Sequence, residues 1–318
     1  MTWTLGRLPY LLRERGVDVY HGMKMPGPYW NSAKTVTSVH SVMRDEVARF
    51  PSTMKARAFV RAYGIPMLKR SHRLIAVSRF VAESIIKGYG VDDDKISIIP
   101  HGIDPQFRRL AAADSTAALA RHGLKRFILC VGNVLPVKNQ ITSLKAFARL
   151  APRFPELTLA LAGGLRDPYA EDVREEARRL GITERIRFLG FVPSQDLVAL
   201  MNAAEVLLFP SITEGCPVTL LEAFACGLPV VAARVGGLAE FGEGAALLVD
   251  RPFDDEGLSQ AAERLLTNRA LRDAAAGRSL ETAARYTWES AADRHLDVYR
   301  SCLSAPALAP EPRLAKMR

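Results

Sequence analysis

Apolar and polar positions alternate in a regular way from about Lys125 onward. Short apolar runs rich in Val, Ile and Leu are typical of buried parallel strands. Six such runs occupy residues 126–132, 157–163, 186–190, 205–210, 229–233 and 245–250. The segments between them, such as residues 139–151 and 170–181, place apolar residues at helical spacing. This alternation predicts a doubly wound parallel sheet, in which ligands bind at the carboxyl ends of the strands.

The first part of the chain shows the same alternation less completely. Its candidate strands are residues 17–22, 35–40, 73–78 and 96–100. Four strands are few for a domain of this type, so we expect an α/β protein with two Rossmann-like domains, the N-terminal one incomplete. The predicted segments are a first domain, a second domain, a helix that returns to the first domain, and a disordered tail rich in Pro and Ala. They span residues 1–108, 109–285, 286–303 and 304–318.

Composition and charge narrow the class of protein. With 318 residues, 48% of them hydrophobic, the chain can fill two cores. No apolar run approaches the ~20 residues that span a bilayer. Arg7 and Arg13 interrupt the first apolar stretch and the four cysteines form no CxxC pair, so we expect a cytoplasmic protein. The net charge is +9, and residues 1–108 hold 17 Lys and Arg against 9 Asp and Glu, which predicts an anionic partner.

Residues 211–232 carry the strongest chemical signal. An apolar run leads into a loop, and a proline opens the helix that follows, where its missing N–H is not needed. The N–H groups next to that proline are expected to be free and to bind an anion. Two glutamates flank this helix start and would repel a phosphate unless they bound hydroxyl groups, so the motif indicates a sugar nucleotide. The residues concerned are Glu214, Pro217, Val218, Thr219 and Glu222.

This segment resembles the EX7E signature of the GT-B glycosyltransferases, in particular the large family 4 of retaining enzymes. Five further segments resemble motifs of that family in matching order, and together the six cover nearly the whole chain from residue 17. The further segments are residues 35–40, 99–107, 131–139, 234–240 and 286–299. The resemblance implies a GT-B fold and a nucleoside-diphosphate sugar as donor substrate. It also implies retention of anomeric configuration and a mechanism without a metal ion or other cofactor.

The resemblance further implies roles for individual residues. His40, Lys138 and Glu214 are implied to be catalytic. His40 contacts the sugar near the reacting carbon, Lys138 neutralises the leaving diphosphate, and Glu214 binds a hydroxyl of the transferred sugar. Glu222 is implied to bind the ribose hydroxyls. The implied donor-binding residues are Asn133, Lys138, Gly163, Gly164, Glu214, Cys216, Pro217, Val218, Thr219, Glu222, Gly236 and Gly237.

Three departures from the family pattern stand out. Asn133 occupies the position of the family's arginine in the G-R-x-x-x-x-K loop, as in a subset with many mannosyltransferases. The family's EGFG is EGCP at residues 214–217, which places Cys216 near the donor. The first strand of the family and its glycine-rich loop have no counterpart in this sequence.

The resemblance thus implies a retaining hexosyltransferase that uses GDP-mannose or a UDP-sugar and a glycan or lipid-linked acceptor. Two alternatives stay open. One is a sugar-nucleotide 2-epimerase on the same fold, and the other is an inactive donor-binding remnant. Sugar transfer to an added acceptor would distinguish the first function from both alternatives.

Two charged stretches have competing interpretations. From Arg44 to Arg73, eight basic residues face two acidic ones, with apolar residues interleaved at helical spacing. The stretch is either a solvated helix packed on its own domain or a surface that binds an anionic membrane. Nucleic acid is not expected, because no aromatic stacking platform accompanies the charges. The three acids at 92–94 favour a solvated turn over a metal site, since adjacent residues cannot all face one ion.

Overall fold

The computed structural model describes residues 6–24, 27–28, 30, 32–41, 60–165 and 168–304. The chain divides into two compact units. Unit 1 contains Met1–Pro100 and Ser290–Arg318, and unit 2 contains His101–Glu289. The division after Pro100 precedes the boundary predicted after residue 108. Residues 44–59 of the predicted basic stretch and residues 305–318 of the predicted tail lie outside the described residues.

Unit 1 is built on a four-stranded parallel sheet in the order β1-β2-β3-β4. The strands are β1 (Val19–Gly22), β2 (Lys34–Val39), β3 (Arg73–Ala76) and β4 (Ile96–Ile98). The described helices of the first segment are α1 (Leu8–Glu14), α2 (Ile65–Arg70) and α3 (Arg79–Tyr89). Helix α3 begins where the Ser78 hydroxyl accepts a hydrogen bond from the Val81 N–H, and it ends at Gly90 in the left-handed region. Each of the four predicted apolar runs therefore contains a strand.

The core of unit 1 needs the last described helix of the chain, α12 (Trp288–Ser304). Ala291, Val298 and Cys302 recur seven and four residues apart, so they lie on one face of the helix. They pack with Val36 and Ile75 of the sheet in one buried cluster.

Unit 2 contains a six-stranded parallel sheet in the order β10-β9-β8-β5-β6-β7. Its strands are β5 (Arg126–Val131), β6 (Leu157–Ala162), β7 (Ile186–Gly190), β8 (Val206–Phe209), β9 (Val230–Ala233) and β10 (Leu247–Val249). Its helices are α4 (Thr116–His122), α5 (Gln140–Leu150), α6 (Tyr169–Arg179), α7 (Ser194–Ala203), α8 (Val218–Ala225), α9 (Gly236–Gly242), α10 (Asp255–Thr267) and α11 (Arg269–Ala283). All six predicted runs contain a strand. The strand order reverses between β5 and β8, and a crevice at this switch point is where such sheets bind ligands.

Both faces of the unit 2 sheet are buried. Successive strand residues point to opposite faces, so Leu129 and Leu207 lie in one core cluster while Ile128 and Leu208 lie in the other. This two-sided burial explains why the strands are continuous apolar runs without polar alternation. The α/β class predicted from the sequence is confirmed in both units.

The two charged stretches can be compared with the structure where it describes them. In the part of the basic stretch that is described, the Tyr63 hydroxyl donates to the Gly27 carbonyl at 3.0 Å and Met67 is buried. These residues therefore pack on their own unit. Asp92 to Asp94 are exposed at a turn, as predicted. None of the described helices has the length and apolar composition of a membrane-spanning segment.

Candidate functional site

Two glycine turns meet at the carboxyl ends of β5 and β6. Gly132 and Gly163 have positive φ angles of 136° and 153°. A Cβ atom on Gly163 would lie 2.1 Å from the Gly132 carbonyl oxygen, so the close approach of the turns requires glycine. The Asn133 Oδ1 accepts a hydrogen bond from the Gly164 N–H at 3.0 Å. The Asn133 side chain therefore links the two turns by a hydrogen bond. Its implied contact with the donor stays a prediction.

A short 3₁₀ turn, Pro136–Lys138, leads into α5. Asn139 follows it with a φ of 55°, the positive value that asparagine tolerates better than most residues. Its buried Nδ2 donates to the carbonyls of Pro210 at 3.1 Å and Pro252 at 2.7 Å. Sequence reasoning missed Asn139, although the adjacent Lys-Asn pair was a signal. These bonds fix the turn that carries Lys138 against the end of β8.

Lys138 and Glu214 form an ion pair at the strand ends. The Lys138 Nζ lies 2.6 Å from the Glu214 Oε1, and the two side chains are only 24% and 14% exposed. The alkyl chain of Lys138 passes over Gly132, where an added Cβ would lie 3.3 Å from its Cε. The ammonium also lies 5.5 Å from the centre of the Phe209 ring. The structure thus brings together two of the three residues implied to be catalytic.

The loop that carries Glu214 packs directly on the backbone of α9. The Gly237 N–H donates to the Glu214 carbonyl at 2.8 Å. A Cβ atom on Gly237 would lie 2.3 Å from the Gly215 carbonyl oxygen, so this contact also requires glycine. Gly237 therefore holds the Glu214 loop in place, and the implied contacts of Gly236 and Gly237 with the donor stay predictions.

Helix α8 begins after Pro217, as the sequence predicts. Pro217 has φ −78° and ψ 80°, the geometry of an inverse γ-turn. This turn directs the Val218 N–H to the Cys216 carbonyl at 2.9 Å, so the expectation of a free N–H on Val218 is wrong. Among the described residues, the Thr219 N–H has no protein acceptor. The predicted anion site at this helix start is therefore reduced to Thr219.

Two half-buried side chains near this helix have shifted pKa values. Burial, together with the neighbouring Asp104 carboxylate, raises the pKa of Glu222 to about 7. Sequence reasoning missed Asp104. Burial raises the pKa of the Cys216 thiol to about 11, so Cys216 is a protonated thiol at neutral pH and a poor nucleophile. Glu222 changes charge near neutral pH, which makes its interactions pH-dependent.

His40 lies in unit 1, immediately after β2. Its Nε2 donates to the Met23 carbonyl at 2.5 Å. His40 is half-buried. Its implied contact with the transferred sugar stays a prediction. The described residues contain no cluster of three or more His, Cys, Asp or Glu arranged to hold a metal ion, and metal independence likewise stays a prediction.

Comparison with known proteins gives the family. Residues 114–280 match the model of "Glycosyl transferases group 1", and residues 1–107 match that of "Glycosyltransferase Family 4". A D-inositol 3-phosphate glycosyltransferase of Stackebrandtia nassauensis is 30% identical over 99% of this chain and 70% of its own length. One from Segniliparus rotundus is 30% identical over 97% of this chain and 66% of its own. The chain thus spans about two thirds of the length of these relatives.

Solved structures show the same fold. Anabaena Alr3699/HepE in complex with UDP and glucose superposes with a TM-score of 0.75 at 22% identity, over 85% of this chain and 72% of that one. WaaG, a glycosyltransferase involved in lipopolysaccharide biosynthesis, superposes with a TM-score of 0.73 at 23% identity, over 91% and 80%. At these identities the likeness concerns the fold. Together with the family models, it shows that the chain belongs to the group 1 glycosyl transferases and is a GT4-type glycosyltransferase of GT-B fold.

Proposed function

We propose that this glycosyltransferase moves a hexosyl group from a nucleoside-diphosphate sugar to an acceptor hydroxyl, with retention and without a metal ion. The observation that carries the proposal is the Lys138–Glu214 pair, held at the sheet's switch point beside the two glycine turns. A half-buried cation next to close-packed backbone suits a diphosphate, and a carboxylate beside it suits sugar hydroxyls. The solved structure with UDP and glucose supports a donor of this kind.

Lys138 supplies positive charge where the leaving diphosphate gains negative charge. Its ammonium is paired with Glu214 at 2.6 Å. A bound diphosphate therefore shares or takes over the ammonium, and this releases Glu214 oxygens to accept hydrogen bonds from the sugar. Because the interaction strengthens as the glycosidic bond breaks, it stabilises the transition state more than the ground state. We expect the acceptor to attack from the face that the diphosphate leaves.

Glu222 holds the ribose of the donor in this proposal. A carboxylate accepts hydrogen bonds from two hydroxyls, whereas its protonated form has one donor and fewer free lone pairs. Burial raises the pKa of Glu222 to about 7, so a large fraction of Glu222 is protonated at neutral pH. The donor binds the ionised form, and its binding therefore favours loss of the proton. Donor affinity is therefore expected to weaken as the pH falls below 7.

The acceptor is proposed to be anionic. Residues 1–108 carry 17 basic against 9 acidic side chains, and the relatives with 30% identity are D-inositol 3-phosphate glycosyltransferases. A phosphorylated polyol and a phosphate-linked lipid share the same anionic chemistry. Both belong in the acceptor panel.

The test combines three donors with a panel of acceptors. The purified chain is incubated with UDP-glucose, UDP-N-acetylglucosamine or GDP-mannose, together with D-inositol 3-phosphate, myo-inositol or a polyprenyl phosphate. Mass spectrometry identifies the product, and proton NMR gives its anomeric configuration. We expect a glycosylated acceptor with the configuration of the donor. The Lys138→Ala variant is the negative control.

Other outcomes would support the alternatives. Conversion of the donor to its 2-epimer without an acceptor would identify an epimerase. Donor binding by calorimetry without turnover on any acceptor would identify a donor-binding protein. An inverted product would contradict the retaining mechanism while leaving the transfer itself established.

We also propose that the basic stretch from Arg44 to Arg73 rests on an anionic membrane. The support is its net charge, since each Lys or Arg near such a surface contributes about 1 kcal/mol. The test is sedimentation with vesicles of 0, 20 and 40% anionic lipid at low and high salt. Binding that rises with anionic lipid and falls with salt is expected. No binding, or binding independent of both, would contradict the proposal.

A further inference from the structure

Three buried oxygen atoms without a hydrogen-bond partner converge beside Lys138. Among the described residues, four buried side-chain oxygens lack a partner. Three of them, Gln140 Oε1, Ser143 Oγ and Ser211 Oγ, line one small cavity together with Lys138. Their residues are 4%, 0% and 0% exposed, so bulk solvent does not reach them. An unpaired buried polar group is costly, so three at one place indicate a bound ligand.

The three oxygen atoms come from two segments of unit 2. The Gln140 Nε2 donates to the Asn133 carbonyl at 3.0 Å, which leaves Oε1 as the atom that lacks a partner. Ser143 follows Gln140 by three positions on α5, so both lie on one helix face. Ser211 comes from the segment just after β8. Ser143 also faces the Cys130 thiol, a weak hydrogen-bonding group that leaves the Ser143 Oγ able to bind a stronger partner.

Size and charge select the ligand. The cavity offers about 10 Å³ to the centre of a water molecule, which is room for one water. A metal cation would have only three oxygens and would face the Lys138 ammonium. An anion would meet Gln140 Oε1, which cannot donate. A water molecule can donate to Gln140 Oε1 and to one serine oxygen while it accepts a hydrogen bond from the other serine.

We propose that Gln140, Ser143 and Ser211 bind one structural water molecule that links the start of α5 to the end of β8. The segments it joins are those that carry Lys138 and Glu214. They are already linked by the Ile212 N–H, which donates to the Val137 carbonyl at 2.9 Å, and by the Asn139 Nδ2, which donates to the Pro210 carbonyl at 3.1 Å. The water adds a further link between them. Gln140, Ser143 and Ser211 are thus positioning residues for the Lys138–Glu214 pair.

The direct test is a crystal structure of the unliganded chain at about 1.5 Å resolution. We expect one water peak within about 2.7–3.2 Å of all three oxygens. Electron density that shows direct hydrogen bonds among the three side chains, with no water peak between them, would overturn the proposal. So would a metal ion, recognised by anomalous scattering or by shorter contacts.

Thermal unfolding gives an independent test with a matched control. Ser279, on α11, is the fourth residue with a buried oxygen that lacks a partner, and it does not line this cavity. Replacing an unpaired buried hydroxyl is neutral or stabilising, whereas removing one of three water ligands is destabilising. We expect Ser143→Ala and Ser211→Ala each to lower Tm by about 2–4 °C, and Ser279→Ala to leave it unchanged or raise it. Equal behaviour of all three variants would mean that no water is bound.

The kinetic consequence rests on the proposed role of Lys138. Ser211→Ala should lower kcat roughly 10-fold with little change in the donor KM, because it misplaces Lys138 by a fraction of an ångström. In a Lys138→Ala background the same substitution should have no further effect on kcat. An undiminished effect there would contradict the positioning role. If Lys138→Ala itself leaves kcat unchanged, the proposed function of Lys138 fails, while the crystallographic and thermal tests of the water still stand.

Discussion

The two units of this protein build their polar sites by different means. In unit 2, backbone packs on backbone: Gly163 lies against Gly132, and Gly237 lies against Gly215. In unit 1, side chains make the long-range links. The His21 ring bonds the Tyr299 hydroxyl at 2.7 Å and the Ser38 hydroxyl at 2.9 Å, and Tyr299 is 278 positions away in the chain. A backbone-built site tolerates little change in shape, whereas a site built from side chains responds to their protonation.

The two units also differ in the direction of their pKa shifts. Burial lowers the pKa of His21 and of His72 in unit 1 to about 4. Positive charge on neighbouring groups contributes to both of these shifts. In unit 2, burial raises the pKa of Glu222 to about 7. Acid therefore acts against unit 1, whose histidines must become charged, and relieves unit 2 of a buried carboxylate.

The largest expected effect tests the backbone contact in unit 2. Gly163→Ala should lower the free energy of unfolding by about 3–5 kcal/mol, because the new Cβ collides with the Gly132 carbonyl at a positive φ. Gly181→Ala is the matched control, since Gly181 also has a positive φ but no atom near its Cβ position. It should cost only about 1–2 kcal/mol. Urea unfolding measures both, and equal losses would show that the turn contact does not matter.

The next effect concerns the charge beside that contact. Lys138→Ala should lower kcat by about 10²-fold or more, because Lys138 meets charge that develops in the transition state. Lys145→Ala is the control, since Lys145 lies on helix α5, seven residues after Lys138, is more exposed, and pairs with Glu176 at 3.8 Å. Its kcat should match the original protein. A change in donor KM alone for Lys138→Ala would contradict the catalytic role.

Replacing Glu222 should separate stability from binding. Since the folded-state pKa of Glu222 exceeds its ordinary value of 4.5, the protein loses stability as the pH rises from about 4.5 through 7. Glu222→Gln removes this loss and should stabilise the protein by about 1–2 kcal/mol at pH 8.5. It should also weaken donor binding by about 1–3 kcal/mol. Calorimetry and urea unfolding at pH 6 and 8.5 check both signs, and unchanged donor affinity would exclude Glu222 from the donor site.

Acid should loosen unit 1 selectively. The folded-state pKa values of His21 and His72 lie below the ordinary value of 6.5. Their contribution is therefore complete above pH 6.5 and is lost as the pH falls towards 4. Both rings are half-exposed, so we expect about 1 kcal/mol for each. Hydrogen exchange corrected for intrinsic rates should show falling protection in β2 but not in β9 between pH 6.5 and 4.5. An equal loss of protection in β2 and β9 would show that acid does not destabilise unit 1 selectively.

The smallest expected effect is that of chelation. The proposed mechanism uses Lys138 instead of a divalent ion, so turnover should be unchanged by millimolar EDTA. Transfer rates measured before and after dialysis against EDTA check this. Loss of activity that Mg²⁺ or Mn²⁺ restores would replace the proposed mechanism with a metal-dependent one.

The sequence was sufficient for the strands and for assigning Lys138 and Glu214 to one site, because parallel strand ends converge at one edge, but it did not predict their ion pair. The sequence was insufficient to predict which hydrogen-bond partner a polar group takes when several lie nearby. Nothing in the pattern shows that Asn133 bonds the Gly164 N–H or that the Val218 N–H is satisfied by a γ-turn. Periodicity separates polar from apolar positions on α5. It does not reveal that Ser143 is enclosed by the segment that follows β8.

The packing of α12 in unit 1 has a consequence for synthesis on the ribosome. Val36 and Ile75 are made early, but the helix that covers them follows the whole of unit 2. Domains generally fold as units during translation. Unit 2 can close its two-sided core from one continuous segment, whereas unit 1 keeps an uncovered apolar sheet face until α12 has left the exit tunnel. We therefore expect the N-terminal unit to be the last to complete its fold.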